Sequence, residues 1–199
     1  MLRIRTFLRK VVAAALAMAT GGCFEWEANV TRGGYAFSQY RTEPSSGLHI
    51  GMLARDAPAN GFTCRKGGWA HFNPDWSLRA CFLAEPFRTE HFEFPAGTWV
   101  MPRADGLIVA FAHDEACQGY VCTGAGGPKG TQTSFYPNGR LKSFYPPKDT
   151  MVGAILCAAS PLADIRLHEN GNLSECRAAG GGGYAAGDTV RLDESGHIR

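Results

Sequence analysis

Apolar positions in this chain come in short runs, broken at roughly 8–12-residue intervals by Gly, Pro, Asn or Asp, the spacing of sequential strands. Phe135-Tyr136-Pro137-Asn138-Gly139-Arg140-Leu141-Lys142-Ser143-Phe144 shows the pattern best. Both central residues of a type I′ turn need φ > 0, so Asn-Gly between apolar runs predicts a β-hairpin. Arg166-Leu167-His168-Glu169-Asn170-Gly171-Asn172-Leu173-Ser174-Glu175-Cys176 repeats the pattern. His71-Phe72-Asn73-Pro74-Asp75-Trp76-Ser77-Leu78-Arg79-Ala80-Cys81 repeats it with Asp-Trp in place of Asn-Gly. No window past residue 22 carries a helical period, and 25 Gly with 11 Pro argue against long helices.

Repetition extends beyond these hairpins. Gly47-Leu48-His49-Ile50-Gly51-Met52-Leu53-Ala54 has a shifted relative in Gly106-Leu107-Ile108-Val109-Ala110-Phe111-Ala112. Phe94-Pro95-Ala96-Gly97-Thr98-Trp99-Val100 is similar to Tyr184-Ala185-Ala186-Gly187-Asp188-Thr189-Val190. The expected fold is all-β: repeated antiparallel β-hairpins over residues 47–199, forming an elongated or meandering sheet stapled by disulfides. Residues 23–46, polar and aperiodic, read as a tether, with a first strand conceivable around Tyr35-Ala36-Phe37.

Register follows from the turns. With Asn138-Gly139 as the loop pair, Tyr136 faces Leu141, Phe135 faces Lys142 and Thr133 faces Phe144. The same arithmetic sets Leu167 opposite Ser174, Ile165 opposite Cys176, Ala70 opposite Cys81, and Arg166 opposite Glu175 as an ion pair. A three-residue loop would spoil this register.

Composition bounds the rest. The 199 residues are 45% hydrophobic and 19% charged, with a formal charge of +2, too small to imply nucleic acid as a partner. Arg3, Arg5, Arg9 and Lys10 precede the apolar run Val11 to Met18, so residues 1–22 read as a secretory signal. The run is far shorter than the ~20 residues a membrane-spanning helix needs. Cleavage has two candidates: after Ala17-Met18-Ala19, or before Cys23, since Thr20-Gly21-Gly22-Cys23 resembles the lipobox of bacterial lipoproteins. The lipobox implies acylation of Cys23, and Phe24 after it implies the outer membrane, facing the periplasm or the surface. The first cleavage would leave a soluble periplasmic protein.

Seven cysteines support acylation, because lipidating Cys23 leaves an even six in an oxidising compartment. Cys64, Cys122 and Cys157 each stand shortly before a hairpin, and Cys81 and Cys176 close the first and third. The middle copy has Phe144 at the closing position, and Cys117 can replace that missing partner. The expected pairs are Cys64–Cys81, Cys117–Cys122 and Cys157–Cys176. His113-Asp114-Glu115-Ala116-Cys117 with Cys122 offers a competing zinc reading, but no second tight ligand pair accompanies it.

No catalytic motif emerges: there is no Gly-x-Ser-x-Gly elbow, His-Glu-x-x-His, Walker loop or dinucleotide fingerprint. Glu90-His91-Phe92-Glu93 places its groups on opposite faces of a strand. Gly180-Gly181-Gly182-Gly183 precedes a strand rather than a helix and reads as a hairpin loop. No catalytic residue, cofactor or metal ligand is therefore assigned. Trp69, Trp76, Trp99 and Tyr136, at turns or strand ends, are the candidate ligand contacts, since aromatics on a rigid sheet suit glycan stacking or a protein hot spot.

Phe135-Tyr136-Pro137-Asn138-Gly139-Arg140-Leu141-Lys142-Ser143-Phe144-Tyr145, followed by Lys148-Asp149 and Val152-Gly153, resembles a bacterial variant of the MORN repeat. The match covers about 20 residues, is partial near 165–176 and faint near 70–81; the cysteines and the Asp75-Trp76 turn depart from it. The resemblance implies repeated antiparallel hairpins forming an elongated sheet, with mostly interaction or scaffolding roles, and supplies no catalytic residues to carry over. The expectation is a non-catalytic envelope lipoprotein acting as a protein-interaction or structural module through a repeat β-sheet. The alternative is a glycan- or peptidoglycan-binding envelope protein.

Overall fold

The structure, a computed structural model, describes residues 25–124 and 132–199; the expected leader and Cys23 lie outside the described residues. Among the described residues the fold is all-β. The first strands are β1 (Glu27–Arg32), β2 (Tyr35–Thr42), β3 (His49–Leu53), β4 (Ala57–Ala59), β5 (Phe62–Cys64), β6 (Trp69–Phe72) and β7 (Leu78–Phe82). Next come β8 (Phe87–Arg88), β9 (Glu93–Phe94), β10 (Trp99–Arg103), β11 (Gly106–Ala110), β12 (Glu115–Cys117) and β13 (Tyr120–Cys122). The last are β14 (Thr133–Phe135), β15 (Leu141–Phe144), β16 (Thr150–Val152), β17 (Ile155–Cys157), β18 (Ile165–Leu167), β19 (Leu173–Arg177) and β20 (Thr189–Arg191).

Twelve strands form one antiparallel sheet in the order β1-β2-β3-β6-β7-β10-β11-β14-β15-β18-β19-β20, and the others make four two-stranded hairpins. Each small hairpin is inserted after a sheet strand running in the same direction, so all four leave from one end of the sheet. The main turns at 73–77, 104–105, 136–140 and 168–172 lie at the other end.

The insertions fold back over one face. Phe72, Phe135, Phe144 and Ile165 from the sheet share a core with Phe62, Leu83, Phe94, Phe111 and Val152 from the inserted segments. Each such side chain stabilises the fold by ~1.5–3 kcal/mol when fully buried. The protein is thus a long sheet with a second, discontinuous β-layer on one side.

Three insertions are copies of one another. Ala57 faces Cys64, Glu115 faces Cys122 and Thr150 faces Cys157. An aspartate just before each hairpin accepts a backbone N–H ten residues on: Asp56 from Lys66 (2.5 Å), Asp114 from Gly124 (2.9 Å) and Asp149 from Ala159 (2.8 Å). The residue after each cysteine then donates to the sheet, Arg65 to Phe82, Thr123 to Tyr145 and Ala158 to Arg177. The similarity between 94–100 and 184–190 is structural too: Leu83 N donates to Thr98 O as Ala178 N donates to Asp188 O.

Residues 27–42, expected to be part of a tether, are instead the first hairpin of the sheet. Gly33-Gly34, at φ +55° and +86°, makes its two-residue turn. Phe37 and Tyr40 are buried at 1% and 3% exposure. Burial of these rings outweighs the segment's lack of a clean alternation, and Gly-Gly was the turn signal within it.

The main turns also differ from expectation at their tips. Gly139 N donates to Tyr136 O and Tyr136 N to Arg140 O; Trp76 with Asn73, Gly171 with His168, and Gly196 with Asp193 make the same turn closure. This is a three-residue loop ending in a left-handed bulge position rather than a two-residue type I′ turn. Phe135 therefore faces Leu141, not Lys142, and Leu167 faces Leu173, not Ser174. Beyond the bulge the expected register holds: Ser134 faces Ser143, Ala70 faces Cys81 and Arg166 faces Glu175.

Candidate functional site

Two of the three expected disulfides are formed. Cys64–Cys81 and Cys157–Cys176, with Cα separations of 5.7 and 5.8 Å, tie the second strand of each inserted hairpin, β5 and β17, to β7 and β19. Each cross-link contributes ~3 kcal/mol in the chain-entropy description. Disulfides of this kind are consistent with an extracellular or periplasmic location.

Cys117 and Cys122, expected to be the third pair, are free and buried thiols. Cys117 faces Tyr120 and Cys122 faces Glu115, so the two thiols are diagonal neighbours on one face of a two-residue hairpin. Diagonal Cβ atoms stand farther apart than the ~3.5–4.5 Å a disulfide needs. A hydrogen bond with Cys122 and then burial push the Cys117 thiol far above its ordinary range. Asp114 is occupied by the Gly124 N–H, and no cluster of three or more His, Cys, Asp and Glu side chains is placed to hold a metal ion among the described residues.

Opposite the insertions, the second face of the sheet has no covering layer among the described residues. Met52 faces Trp69, and Phe82 and Ala110 flank Trp99 on the two neighbouring strands. The next row runs Ile50, His71 and Ala80, then Met101, Ile108, Ser134, Ser143, Arg166, Glu175 and Arg191. The face is thus aromatic and apolar over the first half of the sheet and polar over the second.

Arginines border the apolar half. Arg41 lies 4.8 Å over the Trp26 ring and Arg65 5.4 Å over Phe82, while Arg103 donates to the Met101 sulfur at 3.1 Å. Among the described residues no carboxylate lies within ion-pair distance of Arg65, Arg79 or Arg103. His71 sits in the middle. Its burial, then Arg79 and Arg41, hold its pKa below 6.5 against the opposing pull of Glu43.

The four candidate aromatics part company here. Trp69 is half-buried on the open face, 5.3 Å from Trp26, itself 40% exposed. Trp99 is on the same face but only 2% exposed, wedged against Phe82 and His71, with its indole N–H buried and unpaired. Trp76 is turned into an end cluster, stacked on His49 at 3.8 Å and 7° and near Tyr35, Phe37 and Tyr40. Tyr136 is a strut: its hydroxyl donates to Leu167 O at 3.0 Å in the next hairpin. Trp99 is therefore covered by its neighbours, whereas Trp76 is half-buried with its ring packed on His49.

The ring pairs of the open face meet at 57°, 63° and 78°, so they make no coplanar stacking platform. Arg166, expected to pair with Glu175, faces it in register, but its Nε is 3.2 Å from Asp164 while Glu175 takes Arg191 at 2.8 Å. Arg191 also holds the Glu175 carboxyl below its usual range.

Alternation around Trp69 and Trp99 carried a signal for this surface that single candidate residues did not. In Trp69-Ala70-His71 and Trp99-Val100-Met101 the residues two apart share a face. A groove of about 550 Å³ also opens near the chain's end, between the tip of β16–β17 and the 168–172 turn. Nothing in the sequence pattern marked it. Comparison with protein families, with curated proteins and with solved structures finds no match to this chain.

Proposed function

We propose that this protein is a non-catalytic interaction module of the bacterial cell envelope, which docks a partner protein on the open face of its sheet. One observation carries the reading: Trp26, Trp69, Phe82 and Met101 lie together on an uncovered face, with Arg65 over Phe82 and Arg103 against Met101, neither within ion-pair distance of a carboxylate among the described residues. Trp and Arg dominate interface hot spots because they combine large contact area with directional or charged groups. The opposite face, by contrast, is overlaid by the protein's own insertions.

The two disulfides and the signal-like leader support export. The Thr20-Gly21-Gly22-Cys23 resemblance supports a lipid anchor in the outer membrane, facing the periplasm or the surface; an unacylated protein would be soluble in the periplasm. Intact mass of the membrane-extracted protein tests the anchor.

Photo-crosslinking in cells tests the docking face. A crosslinker replacing Met101 should give a defined protein adduct, whereas one replacing Arg88 on the outer side of an insertion should not. Adducts from Arg88 alone, or none from either, would remove the open face as the interaction surface.

A further inference from the structure

The inserted hairpins of the first two cysteine-bearing repeats plug the turn end of the sheet with an amide side chain. In the first, Asn60 at the tip of β4–β5 accepts the Leu78 N–H through Oδ1 at 2.8 Å. In the second, Gln118 at the tip of β12–β13 accepts the Leu141 N–H through Oε1 at 3.1 Å. Leu78 and Leu141 are equivalent, each two residues past the left-handed turn position at Trp76 or Gly139.

The third repeat keeps the frame and omits the plug. Leu173 stands two residues past Gly171, facing Leu167 as Leu78 faces Phe72. The tip position equivalent to Asn60 and Gln118 is Gly153, which has no side chain, and a Cβ there would meet nothing within 4 Å. Among the described residues no side chain accepts the Leu173 N–H in its place. The groove of about 550 Å³ lies there, and Gly153 and Leu173 both line it.

The walls narrow the class of ligand. No charged side chain lines the groove, which selects a neutral molecule. Tyr120 and Tyr184 line it with aromatic side chains, Ile155 and Ile198 with aliphatic ones, and Asn172 and Ser195 with polar ones. The volume is that of a small-molecule site. From the missing amide acceptor and the aromatic and polar lining, we infer that this groove binds an N-acetylated sugar. Its acetamido carbonyl replaces the absent Asn or Gln oxygen at the Leu173 N–H. The inference stands apart from the protein-docking face and does not rest on it.

Calorimetric titration of the full-length protein with N,N′-diacetylchitobiose tests it, beside the deacetylated glucosamine dimer and an acetyl-glutamine-amide peptide. The acetylated sugar should bind, and loss of its acetyl groups should weaken binding at least about tenfold, ~1.4 kcal/mol. Gly153→Asn restores the plug at a backbone φ of +61°, close to the +49° that Asn60 already adopts. That variant should melt higher and lose sugar binding. Tyr184→Ala, on the Gly-rich loop, should weaken binding without lowering the melting temperature. Absence of sugar binding at millimolar concentration, equal binding of the deacetylated dimer, undiminished binding by Gly153→Asn, or preference for the glutamine peptide would each overturn the assignment.

Discussion

Gly33 and Trp76 share one space: a Cβ built on Gly33 would lie 2.0 Å from the Trp76 ring. Gly33 closes the β1–β2 turn at φ +55°, and Trp76 occupies a main turn at φ +65°, where the sister turns have Gly139 and Gly171. The hairpin expected to be a tether is thereby locked onto the sheet by the one turn, of the four sharing this closure, whose left-handed residue is not glycine. Gly33→Ala should cost about 2–4 kcal/mol, from left-handed strain plus overpacking. Urea unfolding measures it; a change under about 0.5 kcal/mol, the level of a neutral surface substitution, would show that the ring is not held there.

Trp76 sets strain against packing. A non-glycine residue at this φ costs ~1–3 kcal/mol, whereas removing a packed Trp side chain costs ~3–5 kcal/mol. Trp76→Gly should therefore destabilise by about 1–3 kcal/mol, the packing loss outweighing the relief. A variant more stable than the parent in thermal melts would reverse that order.

Cys122 occupies the position of Cys64 and Cys157, and Phe144 that of Cys81 and Cys176, each five residues past its left-handed turn residue. Phe144→Cys should join Cys122 to the introduced thiol, completing the inter-layer series. Non-reducing peptide mapping reads the bond directly. Net stability should not rise, since a loop closure worth ~3 kcal/mol is offset by loss of a buried Phe worth ~3–5.

Cys117 and Cys122 should resist thiol reagents at neutral pH in the folded protein, because both are buried and the Cys117 thiolate is strongly disfavoured. Denaturation without reductant should expose both to alkylation. Mass spectrometry that finds them linked to each other after denaturation would replace the free-thiol pair with a third disulfide.

His71 should make the fold acid-sensitive. Its folded pKa lies below 6.5, so on acidification the unfolded chain takes up the proton first. The stabilisation is present above the ordinary histidine value and is lost as pH falls through it toward the folded pKa. His71→Gln should flatten the decline in stability between about pH 7 and 5. An unchanged pH profile would assign that decline to other groups.

Local chemistry determined a good deal here. Asn138-Gly139 and Asn170-Gly171 name their turns because few residues tolerate φ > 0, Asp75-Trp76 is legible only as a repeat of that pattern, and alternation then orders the strands between them. Register away from the tips, and the Cys64–Cys81 and Cys157–Cys176 pairs, follow from that short-range information together with repetition. Asp56, Asp114 and Asp149, each eight residues before a cysteine, were equally legible but are recognised as one motif only through the N–H groups they hold.

Tertiary structure alone decided which of two similar faces is covered. A strand with large side chains on both faces, such as Trp99-Val100-Met101, fits either side until the insertions fold over one of them. The same packing made Trp99 inaccessible and Trp76 a cluster member, folded residues 27–42 into the sheet, and left Cys117 diagonal to Cys122. It also left Gly153 short of the Leu173 N–H. Each is a relation between segments distant in sequence, set by burial across layers rather than by the conformational preference of any one stretch.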